Sequence, residues 1–180
     1  MRVFIGIDLP EDVKQNIVNL QRKLPRLNAK LVEPENLHIC LKFLGEVEEN
    51  KIEKIKKVID EATEIYEKFD VEFDGIGFFP NKNYIRVIFL EISKGKEILC
   101  SLADIIDEKL SNEGFEREKR DFVPHITLAR VKSKVSKEDV EKLENLKLHS
   151  IFRVDKIKLF SSRLTPRGPI YSVIYEKGLR

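Results

Sequence analysis

Apolar residues change their period several times along the chain, and each change marks a predicted element. Arg2 to Asp8 (RVFIGID) is a near-continuous apolar run of strand length, the pattern of a buried strand. Pro10 then opens a helix with Val13, Ile17, Leu20 and Leu24 at helical spacing, and Pro25 stops it. A short strand at Ala29 to Val32 and a Pro34-Glu35-Asn36 turn lead into a strand from Leu37 to Leu44, ended by Gly45. Ile52, Ile55, Ile59, Ala62 and Ile65 stripe a second helix. Val71 to Phe79 and Tyr84 to Ile92 read as an antiparallel hairpin, because Pro80-Asn81-Lys82-Asn83 between them has turn chemistry. Ile98, Leu102, Ile105, Ile106 and Leu110 mark a third helix, with Gly114 capping its end. A strand at Phe122 to Val131 follows, then a fourth helix entered through Ser136 and Asp139 as in a capping box. Two strands near Ser150 to Phe160 and Pro169 to Tyr175 close the chain.

The same order occurs twice: a strand that begins near a histidine, a helix, then two strands. That recurrence predicts an α+β fold built as a duplicated unit, and a chain of 180 residues is the size of one compact bilobed domain. No linker, repeat array or low-complexity tract interrupts it. The helix from about residue 94 to 113 fits either lobe, so the lobe boundary stays open.

Charge and cysteine content narrow the partners. The 33 basic and 31 acidic side chains nearly cancel to +2, so any RNA contact must be local rather than a basic tail. Cys40 and Cys100 make no disulfide framework, no signal-like segment opens the chain, and no window approaches a membrane span. A soluble cytoplasmic protein with no obligate protein partner is expected. Lysine (22), glutamate (21) and isoleucine (20) far outnumber alanine (4) and glutamine (2), a bias met in hyperthermophile proteins.

The chemistry lies in two tetrads, His38-Ile39-Cys40-Leu41 and His125-Ile126-Thr127-Leu128, which hold two of the three histidines and stand 87 residues apart. In a strand, the period of two puts His38 and Cys40 on one face and Ile39 and Leu41 on the other. His125 and Thr127 separate from Ile126 and Leu128 in the same way. Each wall would then offer one imidazole and one small proton donor to a shared surface, the minimum for acid-base catalysis at a phosphate. A lone strand histidine is more often structural, but repetition reverses that balance, as does the scarcity of threonine, found only at positions 63, 127 and 165. His149 lacks the pattern and reads as a surface or strand-end residue.

These tetrads resemble the repeated His-x-Thr-x motif of the two-histidine phosphoesterases, and the flanks are similar to the RNA 2′,3′-cyclic phosphodiesterase branch, also called 2′-5′ RNA ligase-like. The matching stretches are RVFIGIDLP from Arg2, ENLHICLKFLG from Glu35, GIGFFPNKNYIRV from Gly75, VPHITLAR from Val123 and LTPRGPIY from Leu164. The resemblance implies two pseudo-symmetric lobes whose antiparallel sheets face a central cleft, with helices outside. It implies metal-independent hydrolysis of a terminal 2′,3′-cyclic phosphate to a 2′-phosphate, with reversible 2′-5′ ligation of RNA ends as a related activity. On that pattern His125 is the proton acceptor, His38 the proton donor, and Thr127 and Cys40 hold the phosphate oxygens.

Physical chemistry independently asks for two imidazoles and leaves open which is the base and which the acid. Opening a cyclic phosphodiester removes one proton and delivers another on opposite sides of phosphorus, and an imidazole with a pKa near ~6.5 serves either role. No nucleotide cofactor is implied, since no phosphate-cradling glycine motif is present. Cys40 departs from the pattern, which has threonine or serine there, and a thiol is the weaker donor. A rival reading gathers His38, Cys40 and His125 around zinc, although no cysteine or histidine pair has structural-zinc spacing. Lys42 shares the parity of His38, so it is expected at the cleft rim. Arg130 has the opposite parity to His125 but lies where a bulge can turn it inward. Arg163 and Arg167 flank a Pro-Gly loop before Tyr171 that can close one end of the cleft. Phe78, Phe79 and Tyr84 are candidates for base stacking, with packing as the default for the phenylalanines. Two other functions stay open: the same chemistry on a small nucleotide such as ADP-ribose cyclic phosphate, and a non-catalytic module that binds RNA ends.

Overall fold

The elements expected from the periodicity form, and the strands sort into two antiparallel sheets. The computed structural model describes all residues from Met1 to Arg180. In chain order the elements are β1 (Arg2–Asp8), α1 (Glu11–Gln21), β2 (Ala29–Leu31), β3 (His38–Glu46), α2 (Ile52–Ile65), β4 (Phe69–Asn81) and β5 (Tyr84–Ile92). They continue as α3 (Lys96–Asn112), β6 (His125–Val131), α4 (Lys137–Glu144), β7 (Ile151–Val154), β8 (Lys156–Thr165) and β9 (Gly168–Gly178). One sheet has the order β3-β1-β8-β9 and the other β2-β6-β5-β4-β7.

Each half of the chain holds its histidine strand between two helices, with a strand before the first helix and one or more strands after the second, but the halves are not the lobes. The closing strand of the first half, β4, pairs with β5 in the sheet of the second histidine strand. In the second half β8 crosses back to pair with β1 in the sheet of the first, and β9 follows on its outer edge. The duplication is therefore interlocked. The single strand expected near Ser150 to Phe160 is in fact two, β7 and β8, which break at Asp155 and belong to different sheets.

One continuous cluster of buried apolar side chains draws on all four helices and both sheets. Helix α3, which fitted either lobe from its sequence, packs beside α2 and β3, held by Lys42 to Asp107 and by Lys109 to Glu61. It buries Leu99, Leu102, Ala103, Ile106 and Leu110, while Ile98 lies on its outer side. Its end is a Schellman motif: the amide of Phe115 donates to Leu110 O (3.0 Å) and that of Gly114 to Ser111 O (3.1 Å). Gly114 sits there at φ +95°, where a side chain would be strained. At α4 the expected cap forms, with the Asp139 amide donating to Ser136 Oγ at 3.1 Å, an interaction worth ~1 kcal/mol.

Candidate active site

His38 and His125 open β3 and β6, and the two strands abut where the sheets meet. Each imidazole is anchored alike, through the backbone carbonyl two residues upstream. His38 Nδ1–H donates to Asn36 O at 2.7 Å, and His125 Nδ1–H donates to Val123 O at 2.6 Å. That contact sets the tautomer and leaves Nε2 as the free ring nitrogen in both. Aromatic rings support each imidazole from the side. Phe4 lies 4.8 Å from His38 and Tyr171 meets it edge-on at 5.4 Å, while Phe79 and Phe89 meet His125 edge-on at 4.9 and 5.2 Å.

A β-bulge in each histidine strand then decides which later side chains reach the cleft. In β3 the register passes from Gly6↔Cys40 to Ile5↔Lys42, leaving Leu41 as the extra residue. In β6 it passes from Phe89↔Thr127 to Ile88↔Ala129, leaving Leu128. The bulges occupy equivalent places, three residues after each histidine. Beyond each one the parity inverts, so the fifth residue after the histidine faces the cleft: Arg130 on one wall, as expected if a bulge intervened, and Phe43 on the other.

Lys42 is the correction this requires. Expected at the rim, it lines the second cavity of the cleft but is buried there, with Nζ 2.6 Å from Asp107 Oδ1 and 3.1 Å from Glu116 O. It anchors the segment before β6 and carries no free charge toward a phosphate. Burial alone would raise the Asp107 carboxyl, but Lys42, the Glu118 amide and Arg117 together hold it below the usual carboxylate range.

His38, Cys40, His125 and Thr127 line a single cavity of about 720 Å³, together with Arg2, Arg130 and Tyr171. A second arm of about 1100 Å³ shares Cys40, Phe43 and His125 with it and runs past Phe79, Arg86 and Arg120. Arg167 lines the first arm, whereas Arg163 is exposed and lines neither. Phe78 packs on the core, Tyr84 stands exposed at the hairpin end beside Arg86, and His149 is exposed just before β7. No three His, Cys, Asp or Glu side chains converge as a metal cluster, so the rival zinc arrangement does not assemble.

Burial pushes both imidazoles below the usual histidine value of 6.5, against the pull of the carbonyl at each Nδ1. Arg130 lowers both further, and His125 lowers His38 as well; the Asp8 carboxylate, paired in register with His38, pulls the other way without reversing the direction. Burial also pushes the Cys40 thiol up to about 12, so it is an S–H donor at neutral pH, and it raises the Tyr171 phenol. The site offers two neutral imidazoles, a hydroxyl, a thiol and an arginine. Two imidazoles biased to the neutral form in one cleft give acid-base phosphoryl chemistry its base directly, and its acid once one ring takes up a proton.

Sequence reasoning missed Phe43, Arg2, Lys30 and Lys132 as cleft residues. The equivalence of Phe43 and Arg130, each five residues after its histidine, was a signal available in the tetrad alignment. Arg2 and Lys30 reach the cleft only through pairings that are not local.

Known proteins match this architecture throughout. The family described as LigT like Phosphoesterase matches twice, over residues 7–89 and 90–171. The chain is 44% identical over 180 residues to an RNA 2′,3′-cyclic phosphodiesterase of Methanocaldococcus jannaschii, covering 98% of this chain and 99% of the relative. It is 38% identical to a protein of the same name from Thermotoga maritima, covering 98% and 94%. Among solved structures, TT0787 of Thermus thermophilus superposes with TM-score 0.89 at 29% identity, covering 100% of this chain and 98% of that one. Escherichia coli LigT complexed with 3′-AMP shares the fold, with TM-score 0.83 at 24% identity and coverage of 99% and 97%.

Proposed function

Since the chain belongs to the LigT-like phosphoesterase family, we propose that it is an RNA 2′,3′-cyclic phosphodiesterase, hydrolysing a terminal 2′,3′-cyclic phosphate to a 2′-phosphate. The observation that carries this reading is the pair of imidazoles, each fixed through Nδ1, that meet in one cleft beside Arg130. Neutral His125 takes a proton from water as the water oxygen bonds to phosphorus. The bond from phosphorus to O3′ breaks, and protonated His38 delivers its proton to the departing oxygen. Thr127 and Cys40 donate to the non-bridging oxygens, and Arg130 balances the charge that builds there. No metal or cofactor takes part in these steps.

A second reading rests on the two arms that share Cys40, Phe43 and His125. An RNA 5′-hydroxyl entering by the second arm could replace water, which would join two strands by a 2′-5′ bond. The unit that does this is one bilobed domain spanning residues 1–180, working on RNA ends in the cytoplasm without an obligate protein partner. No helix is long and apolar enough to cross a membrane.

The test is hydrolysis of a cyclic-phosphate-ended oligonucleotide in EDTA, with the product resolved by chromatography. Turnover to the 2′-phosphate supports the reading. Binding without turnover would replace it with an RNA-end binding module, and a 3′-phosphate product would reverse the leaving group.

A further inference from the structure

The 720 Å³ arm is lined by five cations, Arg2, Lys30, Arg130, Lys132 and Arg167, against the single carboxylate of Glu33. None of the five has a carboxylate within 4.0 Å. The second arm differs, because there Lys42 and Arg117 are held by Asp107 and Lys119 by Glu116, and only Arg86 and Arg120 lack a paired carboxylate, in a lining that also carries Asp104, Glu118 and Asp121. The unneutralised cations are also crowded. Lys30 stands directly opposite Arg130 in the β2–β6 ladder, and Lys132 follows Arg130 by two residues. Like charges directly opposite across strands are destabilising, so an arrangement of this kind is held against a cost that a bound anion would remove.

The other wall brings its own charge to the same space. The Arg2 guanidinium lies 4.8 Å over the Phe43 ring, and Lys30 Nζ donates to Arg167 O at 2.6 Å, drawing the β8–β9 turn across the arm. A terminal cyclic phosphate carries one negative charge, and Arg130, which acts on both histidines, is the cation beside the reacting centre. Four cations remain.

We propose that Arg2, Lys30, Lys132 and Arg167 form a second phosphate subsite that holds the phosphodiester of the strand leading to the cyclic end. This rests on the phosphodiesterase reading and deepens it: the ligand is a strand with a polyanionic body, and a lone cyclic mononucleotide leaves the subsite empty. A pyrophosphate, as in ADP-ribose cyclic phosphate, shares the chemistry of a second phosphate and is the alternative source.

The experiment compares kcat/KM for 2′,3′-cyclic AMP, for an adenylate trinucleotide ending in a cyclic phosphate, and for ADP-ribose cyclic phosphate across a salt series. In wild type the trinucleotide is expected to exceed the mononucleotide by at least about tenfold at low salt. Its log-log salt slope should be steeper by about 0.7 for each phosphate held. Lys132→Gln with Arg167→Gln, both exposed positions, should bring the ratio toward one. Equal salt slopes for trinucleotide and mononucleotide in wild type, or an unchanged ratio in the double variant, would overturn the subsite. A preference for ADP-ribose cyclic phosphate over the trinucleotide would overturn its assignment to an RNA strand. Equilibrium binding of the 2′-phosphate-ended trinucleotide against 2′-AMP separates this from the catalytic reading. If wild type turns over nothing yet binds the trinucleotide more tightly and with the steeper slope, the subsite stands and the phosphodiesterase reading falls. Equal binding would remove the subsite.

Discussion

Cys40 presents a protonated thiol where Thr127 presents a hydroxyl, because burial pushes the thiol up to about 12. An S–H is the weaker donor, so Cys40→Thr should leave kcat equal or raise it, measured under single turnover. Thr127→Val removes a hydroxyl donor and should lower kcat by about 10²-fold. The two imidazoles set the pH profile. The base must be neutral, which limits the rate at low pH, and the acid must be protonated, which limits it at high pH. Both groups sit below 6.5 in the free protein, so kcat/KM on a cyclic mononucleotide should peak below pH 6.5 and fall as pH rises past it. A maximum near pH 8 would contradict the burial argument. At this scale the sequence was legible wherever the period of two held, from His38 to Cys40 and from His125 to Thr127. It failed one step later, at Lys42 and Phe43, because a bulge is set by the neighbouring strand.

Gly6 of β1 lets β3 approach closely, and Gly77 of β4 makes room for the Phe89 ring of β5 that supports His125. A Cβ on Gly6 would meet Ile39 O at 2.7 Å, and one on Gly77 would meet the Phe89 ring at 2.4 Å. Gly6→Ala must therefore push β3 aside, and Gly77→Ala must displace the ring beside His125. Gly77→Ala should lower kcat several-fold more than its effect on the melting temperature would suggest, read by comparing turnover with thermal unfolding. The Lys42–Asp107 pair plays the equivalent anchoring part for the segment before β6. Its side chains are 6% and 11% exposed, so Lys42→Met should cost about 3 kcal/mol in urea unfolding by leaving a buried carboxylate short of its partner. Adding Asp107→Leu should recover much of that loss. Helices and strands were readable as elements because their periods are local. Sheet membership was not: the exchange of β4 and β8 between sheets depends on pairings such as Phe4↔Phe160, which are far apart in the chain.

As a whole molecule, the interlocked duplication places one histidine strand from each half at a shared cleft over a single core. Opening either lobe would require strands from both halves to part, so unfolding should be one cooperative transition. The lysine, glutamate and isoleucine bias predicts a melting temperature above the ordinary mesophile range of about 45–65 °C. Ion pairs linked in series, such as Lys14 to Asp8 to Lys158 to Glu176, are of the networked kind that matter most when hot. Fold class and the two-wall site were legible from the repeated tetrads and their flanks. The cationic arm was not, because its residues come from β1, β2, β6 and the β8–β9 turn. The most direct test is single-turnover hydrolysis of a 2′,3′-cyclic-phosphate oligonucleotide by wild type, His38→Ala and His125→Ala, with folding checked by circular dichroism. Each substitution should slow the reaction by about 10² to 10⁴ while the fold persists. Wild-type rates in either folded variant would contradict the two-histidine account.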